Sequence, residues 1–208
     1  MYLIDGRPHE CVLIDIGCGL KTEKIIKNIS EAGFDLGLIS AVVNTHCHYR
    51  HAGGNQKLNK LLGYCEVIAH ELDADAIEKG DQRLTKANIY GQIFEPCDVH
   101  FRICTTDIKT METIGLGGHC TIGVGDIDFV PIHVPGHTPG SIVLYGEIDG
   151  AHVMFTGDLD EPPTNRRDLE IWRESIQRLI NLKIDIIYGG HSIIFEEPKK
   201  WLGRLTKF

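Results

Sequence analysis

Three histidines fall within six residues in Asn44-Thr45-His46-Cys47-His48-Tyr49-Arg50-His51, directly after the apolar run Leu38 to Val43. Imidazoles are scarce in ordinary chains, so this grouping reads as a metal-binding loop and not as chance surface residues. Further donors follow downstream. His137 lies in Val134-Pro135-Gly136-His137-Thr138-Pro139-Gly140-Ser141, Asp158 in Phe155-Thr156-Gly157-Asp158, and His191 in Tyr188-Gly189-Gly190-His191-Ser192. Each segment follows an apolar run, which puts one donor side chain at the end of an expected strand. Neutral imidazole and carboxylate suit borderline divalent ions such as zinc. A shell of His nitrogens with one bridging carboxylate leaves a coordination position for water, so the chemistry expected is catalytic.

The elements that must carry these donors show in the hydrophobic pattern. Runs of strand length recur at 1 to 5, 10 to 16, 38 to 45, 65 to 70, 127 to 134, 141 to 146, 152 to 157 and 184 to 189, several of them rich in Val and Ile. One-sided helical patterns lie between them. Residues 21 to 33 carry Ile25, Ile26 and Ile29, and residues 53 to 62 carry Leu58, Leu61 and Leu62. Residues 168 to 181 carry Leu169, Trp172, Ile176, Leu179 and Ile180, with Asp168 as the expected N-cap. In the stretch 80 to 126, Tyr90, Phe94 and Phe101 are the expected apolar anchors, with a Gly-rich turn at 115 to 118. Strands mixed with such helices fit several layered architectures, and periodicity alone does not choose among them.

A length of 208 residues predicts a single domain over 1 to 208. Hydrophobic content of 42% and charged content of 24% are those of a globular protein. A net charge of -8 argues against a main affinity for phosphate backbones, which needs clustered Lys and Arg. Seven cysteines at 11, 18, 47, 65, 97, 104 and 120 have no repeating spacing, which speaks against a disulfide framework and for a reducing cytoplasm. No apolar run approaches the length of a membrane span and no signal peptide is evident. Cys97, His100, Cys104, His119 and Cys120 match no familiar zinc spacing and read as scattered core thiols and histidines.

The four donor segments, in this order and spacing, resemble the metallo-β-lactamase superfamily, and Gly-His-Thr-Pro-Gly-Ser is most similar to its glyoxalase II-like branch. The resemblance covers nearly the whole chain. It implies an α/β layered fold: an αββα sandwich of two mixed β-sheets flanked by helices, with the metal loops along one edge. Family members usually have a strand before the segment that opens this chain, so the resemblance implies a trimmed first sheet or a truncated start. By analogy His46, His48 and His137 form the first metal site, Asp158 bridges, and His51 and His191 serve the second. Asp15, in Leu13-Ile14-Asp15-Ile16-Gly17, matches a carboxylate that supports the histidine loop in relatives, in keeping with the need to fix the tautomer of a ligating His.

One position departs from the family's His-x-His-x-Asp-His. Arg50 stands where the aspartate ligand belongs, and a guanidinium has no lone pair to offer a metal. At about 5 Å from a second dication, with an effective dielectric of about 20, the repulsion is roughly 7 kcal/mol at its upper end. Three readings are open. In the first, Arg50 occupies or neighbours the second position, pairs with Asp158 and leaves one zinc ion. In the second it swings out, and His51, His191 and Asp158 hold a weakened second ion. In the third, compatible with the first, its planar fork anchors a substrate carboxylate or phosphate. Cys47, between two ligating histidines, is expected to pack beneath the loop.

The activity the resemblance implies is metal-dependent hydrolysis of a thioester or ester. A hydroxide formed from zinc-bound water attacks the carbonyl, Asp158 orients the water and accepts its proton, and the metal or Arg50 stabilises the oxyanion. Two alternatives stand beside it. One is a persulfide dioxygenase-like enzyme with a single iron on His46, His137 and Asp158. The other is a degenerate relative that binds an anion without turnover. The expected partner is a small-molecule substrate, anionic where Arg50 takes part; neither nucleic acid nor membrane is expected, and the oligomeric state is open.

Overall fold

The apolar runs read from the sequence become strands whose ends shift by one or two residues. The computed structural model describes residues 1–7, 10–104, 121–191 and 194–207. These belong to two units, Met1–Ile103 with Val124–Asp126, and Cys104–Gly123 with Ile127–Phe208. The expected Gly-rich turn at 115 to 118, with His119 and Cys120, lies outside the described residues.

In the first unit, β1 (Tyr2–Gly6), β2 (Glu10–Ile14), β3 (Ile39–Val43), β4 (Glu66–His70) and β5 (Phe101–Ile103) form a mixed sheet in that order. β1 runs antiparallel to β2, and β2 through β5 are mutually parallel. Parallel neighbours need long crossovers, and the helices Thr22–Glu31, Asn55–Leu62 and Glu71–Glu78 supply them. Leu13, Val42 and Val67 from the strands pack with Ile29, Leu58 and Ile77 from those helices. Burying each such side chain contributes roughly 1.5–3 kcal/mol. Val12, Ile14 and Val43, which alternate with these, are buried as well. Strands covered on both faces read as continuous apolar runs, which is why they were legible.

In the second unit, apart from Val124, β6 (Ile122–Val124), β7 (Ile127–His133), β8 (Ile142–Ile148), β9 (Ala151–Gly157) and β10 (Ile186–Gly189) form another mixed sheet in the order β10-β9-β8-β7-β6. β7, β8 and β9 alternate antiparallel, and β10 runs parallel to β9. Trp172, Ile176 and Leu179 of the helix Arg166–Leu179 pack on Val130, Ile132 and Met154 of this sheet.

Several expectations need correction. The N-cap of the helix Arg166–Leu179 is Asn165, not Asp168. The Asn165 side chain accepts the Asp168 backbone N–H at 2.9 Å while its amide donates to the Asp168 carboxylate. Asn165 thus bonds both the backbone and the side chain of Asp168, and the cap moves the start three residues upstream. Of the three expected anchors in 80 to 126, only Phe94 is buried; Tyr90 and Phe101 are exposed. The helix Glu71–Glu78 escaped the pattern because it buries Ala74, Ala76 and Ile77 while Leu72 faces solvent. The helix Pro198–Leu205, with Trp201, Leu202 and Leu205 buried, was missed too, as were the three-residue strands β5 and β6.

Replacing Asn165 with Ala should lower stability by about 1 kcal/mol, read as a lower urea midpoint at unchanged slope.

Candidate metal centre

Strand direction gathers the donors of each unit on one edge of its sheet. In the first unit β2, β3 and β4 are parallel; Asp15 follows β2, the histidine loop follows β3, and Asp73 lies in the first turn after β4. In the second unit β7, β9 and β10 run the same way, because two antiparallel steps separate β7 from β9. His137, Asp158 and His191 follow their carboxyl ends. Ligand sites of open sheets lie at such ends.

Asp15 organises the first group. It has φ 56°, a left-handed conformation that Asp tolerates better than most residues. Its carboxylate is buried and accepts the Thr45 N–H at 2.8 Å, the Thr45 hydroxyl at 2.9 Å and the His51 Nδ1–H at 2.8 Å. With its proton committed to Asp15, the Thr45 oxygen accepts from His46 Nδ1, 3.1 Å away. One carboxylate thereby fixes two imidazoles as Nδ1–H tautomers with their Nε2 lone pairs outward. Burial pushes the Asp15 carboxyl up, but the interaction with His51 and the hydrogen bonds from His51 and the Thr45 N–H outweigh it and hold the group below the usual carboxylate range.

Asp73 is a brace the sequence reading missed. Buried at the start of the helix Glu71–Glu78, it accepts the Cys47 N–H at 2.8 Å. The Tyr49 N–H bonds Thr85 O at 2.7 Å, and the Ile16 and Gly17 amides both bond His51 O. Held this way, His46 and His48 meet edge to face with ring centroids 4.7 Å apart, and His46 and His51 lie 4.1 Å apart. The ligand atoms of each pair are within 4.8 Å of each other. Cys47 is buried with its thiol toward Leu84 O, and burial, aided by the Asp73 charge, pushes that thiol far up. It is no thiolate ligand at neutral pH.

Arg50 is exposed on the short helix Tyr49–Ala52, whose Tyr49, His51 and Ala52 are buried.

In the second group, Val134 N–H bonds Ser141 O at 2.9 Å and closes the Gly-His-Thr-Pro-Gly-Ser turn between β7 and β8. The Ser141 hydroxyl accepts the Thr138 N–H at 3.0 Å and meets the Thr138 hydroxyl at 2.8 Å. The His137 Nδ1–H donates to Glu161 O at 3.1 Å, leaving Nε2 as the lone-pair nitrogen. That Nε2 is 3.7 Å from Asp158 Oδ2, while His191 Nε2 is 3.4 Å from Asp158 Oδ1. Gly190 makes the approach feasible, since a Cβ there would sit 2.6 Å from Asp158 Oδ1.

These separations exceed a charge-assisted hydrogen bond of about 2.7–2.9 Å. Two ligands bound at about 2.0–2.1 Å with a tetrahedral angle lie about 3.4 Å apart. The donor set of neutral Nε2 atoms and one carboxylate, spaced for shared ions, therefore fits zinc or a similar divalent metal. Among the described residues six cysteines form no disulfide, and no helix is long and apolar enough to cross a membrane.

The sequence pattern of the metallo-beta-lactamase superfamily matches residues 1–191, so the chain belongs to that superfamily. Curated relatives include the human acyl-coenzyme A thioesterase MBLAC2, 25% identical over 174 residues that cover 76% of this chain and 57% of that protein. The hydroxyacylglutathione hydrolase of Hyphomonas neptunium is 29% identical over 166 residues, covering 77% of this chain and 51% of that one. The chain thus spans somewhat over half the length of these two relatives. A protein of Methanocaldococcus jannaschii named "Probable metallo-hydrolase MJ0888" is 25% identical over 93% of this chain and 87% of its own. Among solved structures, a mutant of the FEZ-1 metallo-beta-lactamase from Legionella gormanii superposes with a TM-score of 0.81 at 17% identity, covering 99% of this chain and 85% of that one. The expected fold, two mixed sheets with flanking helices, is the one found.

Replacing Asp15 with Ala removes the acceptor that orients His51 and, through Thr45, His46. Metal affinity should fall about 10–100-fold, measured by competition with a chromophoric chelator.

Proposed function

We propose that the chain is a metal-dependent hydrolase of a thioester or ester, with the ligand set that the family likeness implies. His46, His48, His137 and Asp158 hold the first ion tightly. His51, His191 and the second oxygen of Asp158 hold another more weakly, because Arg50 contributes no ligand there. The observation that carries this reading is the Asp158 carboxylate with a separate imidazole Nε2 facing each oxygen, at 3.7 and 3.4 Å. A bridging role explains that geometry, and membership of the superfamily over residues 1–191 supports the assignment.

A zinc ion bound there supplies Lewis acidity and brings the pKa of its water toward about 7. The chain's own residues do the rest. Asp158 orients the attacking water and takes its proton. Arg50 is an exposed residue of the histidine loop, and the planar fork of a guanidinium suits a carboxylate or phosphate group of the substrate. A thioester is favoured because one relative is named an acyl-coenzyme A thioesterase. Among the described residues, six cysteines without a disulfide support a cytoplasmic location.

Metal analysis of the purified, dialysed protein should give one zinc per chain, with a second bound only from added zinc. Two ions surviving dialysis would contradict the weakened second site. A chelator should abolish hydrolysis of an acyl-coenzyme A, and zinc should restore it; no turnover by the zinc-loaded protein on any thioester or ester points instead to the non-catalytic anion binder. Arg50→Ala should raise KM for the anionic thioester about tenfold with little change in kcat, as loss of one charge-assisted contact predicts.

A further inference from the structure

Two of the three donor turns of the second unit, those of His137 and Asp158, rest on one residue of the helix Arg166–Leu179. Trp172 is fully buried, and its indole Nε1–H donates to Leu159 O at 3.1 Å, the residue after Asp158. Gly136, the residue before His137, lies against the same side chain. A Cβ at Gly136 would stand 2.5 Å from Trp172 Cβ and 3.1 Å from Asp168 O, and its φ of +136° is one that side chains rarely adopt. The two turns are also tied to each other. The Glu161 N–H bonds Asp158 O at 3.0 Å, and Glu161 O accepts the His137 Nδ1–H at 3.1 Å.

A core indole needs only some acceptor for its N–H. Here that acceptor is in the turn that carries a metal donor, and the opposite edge of the residue is the seat of the turn that carries the other. The His137 Nε2 to Asp158 Oδ2 separation of 3.7 Å is then the distance between two loops measured off one side chain. Without the N–H tie, the Asp158–Glu161 turn loses its hydrogen bond to the helix, and the hold of Glu161 O on His137 Nδ1 loosens with it.

We infer that Trp172 is a positioning residue for the His137 and Asp158 pair: its indole N–H fixes the Asp158 turn, and its Cα and Cβ fix the His137 turn. The role in metal binding rests on the reading that this pair holds an ion; the role in fixing the His137 tautomer does not.

The test replaces Trp172 with β-(3-benzothienyl)alanine, which keeps the shape and lacks the N–H, and separately with Phe. Ile176→Val, in the same core cluster one turn along, is the control. In cobalt-substituted protein, the benzothienyl variant should bind the metal about tenfold more weakly and show altered d–d bands, as for loss of an outer hydrogen bond to a ligand. Ile176→Val should lower the melting temperature while leaving affinity and spectrum as in the wild type. Unchanged affinity and spectrum in the benzothienyl variant, or an equal change in Ile176→Val, overturns the inference. If Trp172→Phe does not fold, the isosteric variant decides alone. If the wild-type protein binds no cobalt, the proposed function fails, and nitrogen-15 spectra of the metal-free protein decide this inference. His137 should then be an Nδ1–H tautomer in the wild type and a mixture in the isosteric variant; an unchanged tautomer overturns it.

Discussion

The buried Asp15 carboxylate is the constraint on which the histidine loop depends. A charge withdrawn from water is tolerated only when its lone pairs are filled, and Thr45 and His51 fill them. The dependence runs both ways. The loop needs Asp15 to turn His46 and His51 so that Nε2 faces outward, and Asp15 needs the loop to remain ionised. Removing one of these donors leaves a buried carboxylate short of a hydrogen bond, at a cost of about 1–3 kcal/mol or more. Asp73 repeats the device one strand further along, on the Cys47 amide. The loop between β3 and the short helix Tyr49–Ala52 is thus held by carboxylates from the ends of both neighbouring strands.

The second unit reaches a similar result by different means. Its donors are placed by close backbone approach and small residues instead of buried charge. Gly136 lies against Trp172, Gly157 takes φ 52° at the end of β9, and Gly190 leaves room for the Asp158 carboxylate. The Thr138 and Ser141 hydroxyls fasten the turn that presents His137. Side chains larger than hydrogen at Gly136 or Gly190 would collide with atoms that themselves define the site.

The donors were legible in the sequence because each follows an apolar run, and strands buried on both faces produce such runs. His46, His48, His51, His137, Asp158 and His191 could therefore be read from local pattern and family likeness. Asp73 could not, because nothing within its helix shows that it bonds the Cys47 amide 26 residues away. Trp172 was legible as a core residue only; its hold on Leu159 O and its fit against Gly136 join segments distant in sequence. Asn165 was passed over for Asp168 because both are good caps, and the bonds between them became visible only in three dimensions. The Arg50 anomaly was plain from the motif, but its exposure was not, since that depends on how the single turn Tyr49–Ala52 faces.

X-ray absorption on the protein loaded with one zinc ion per chain tests the central claim most directly. Three histidines and one carboxylate predict a shell of nitrogen and oxygen at about 2.0–2.2 Å, with the multiple-scattering signature of about three imidazoles. A sulfur scatterer at about 2.3 Å, or a shell with fewer than two imidazoles, would contradict it.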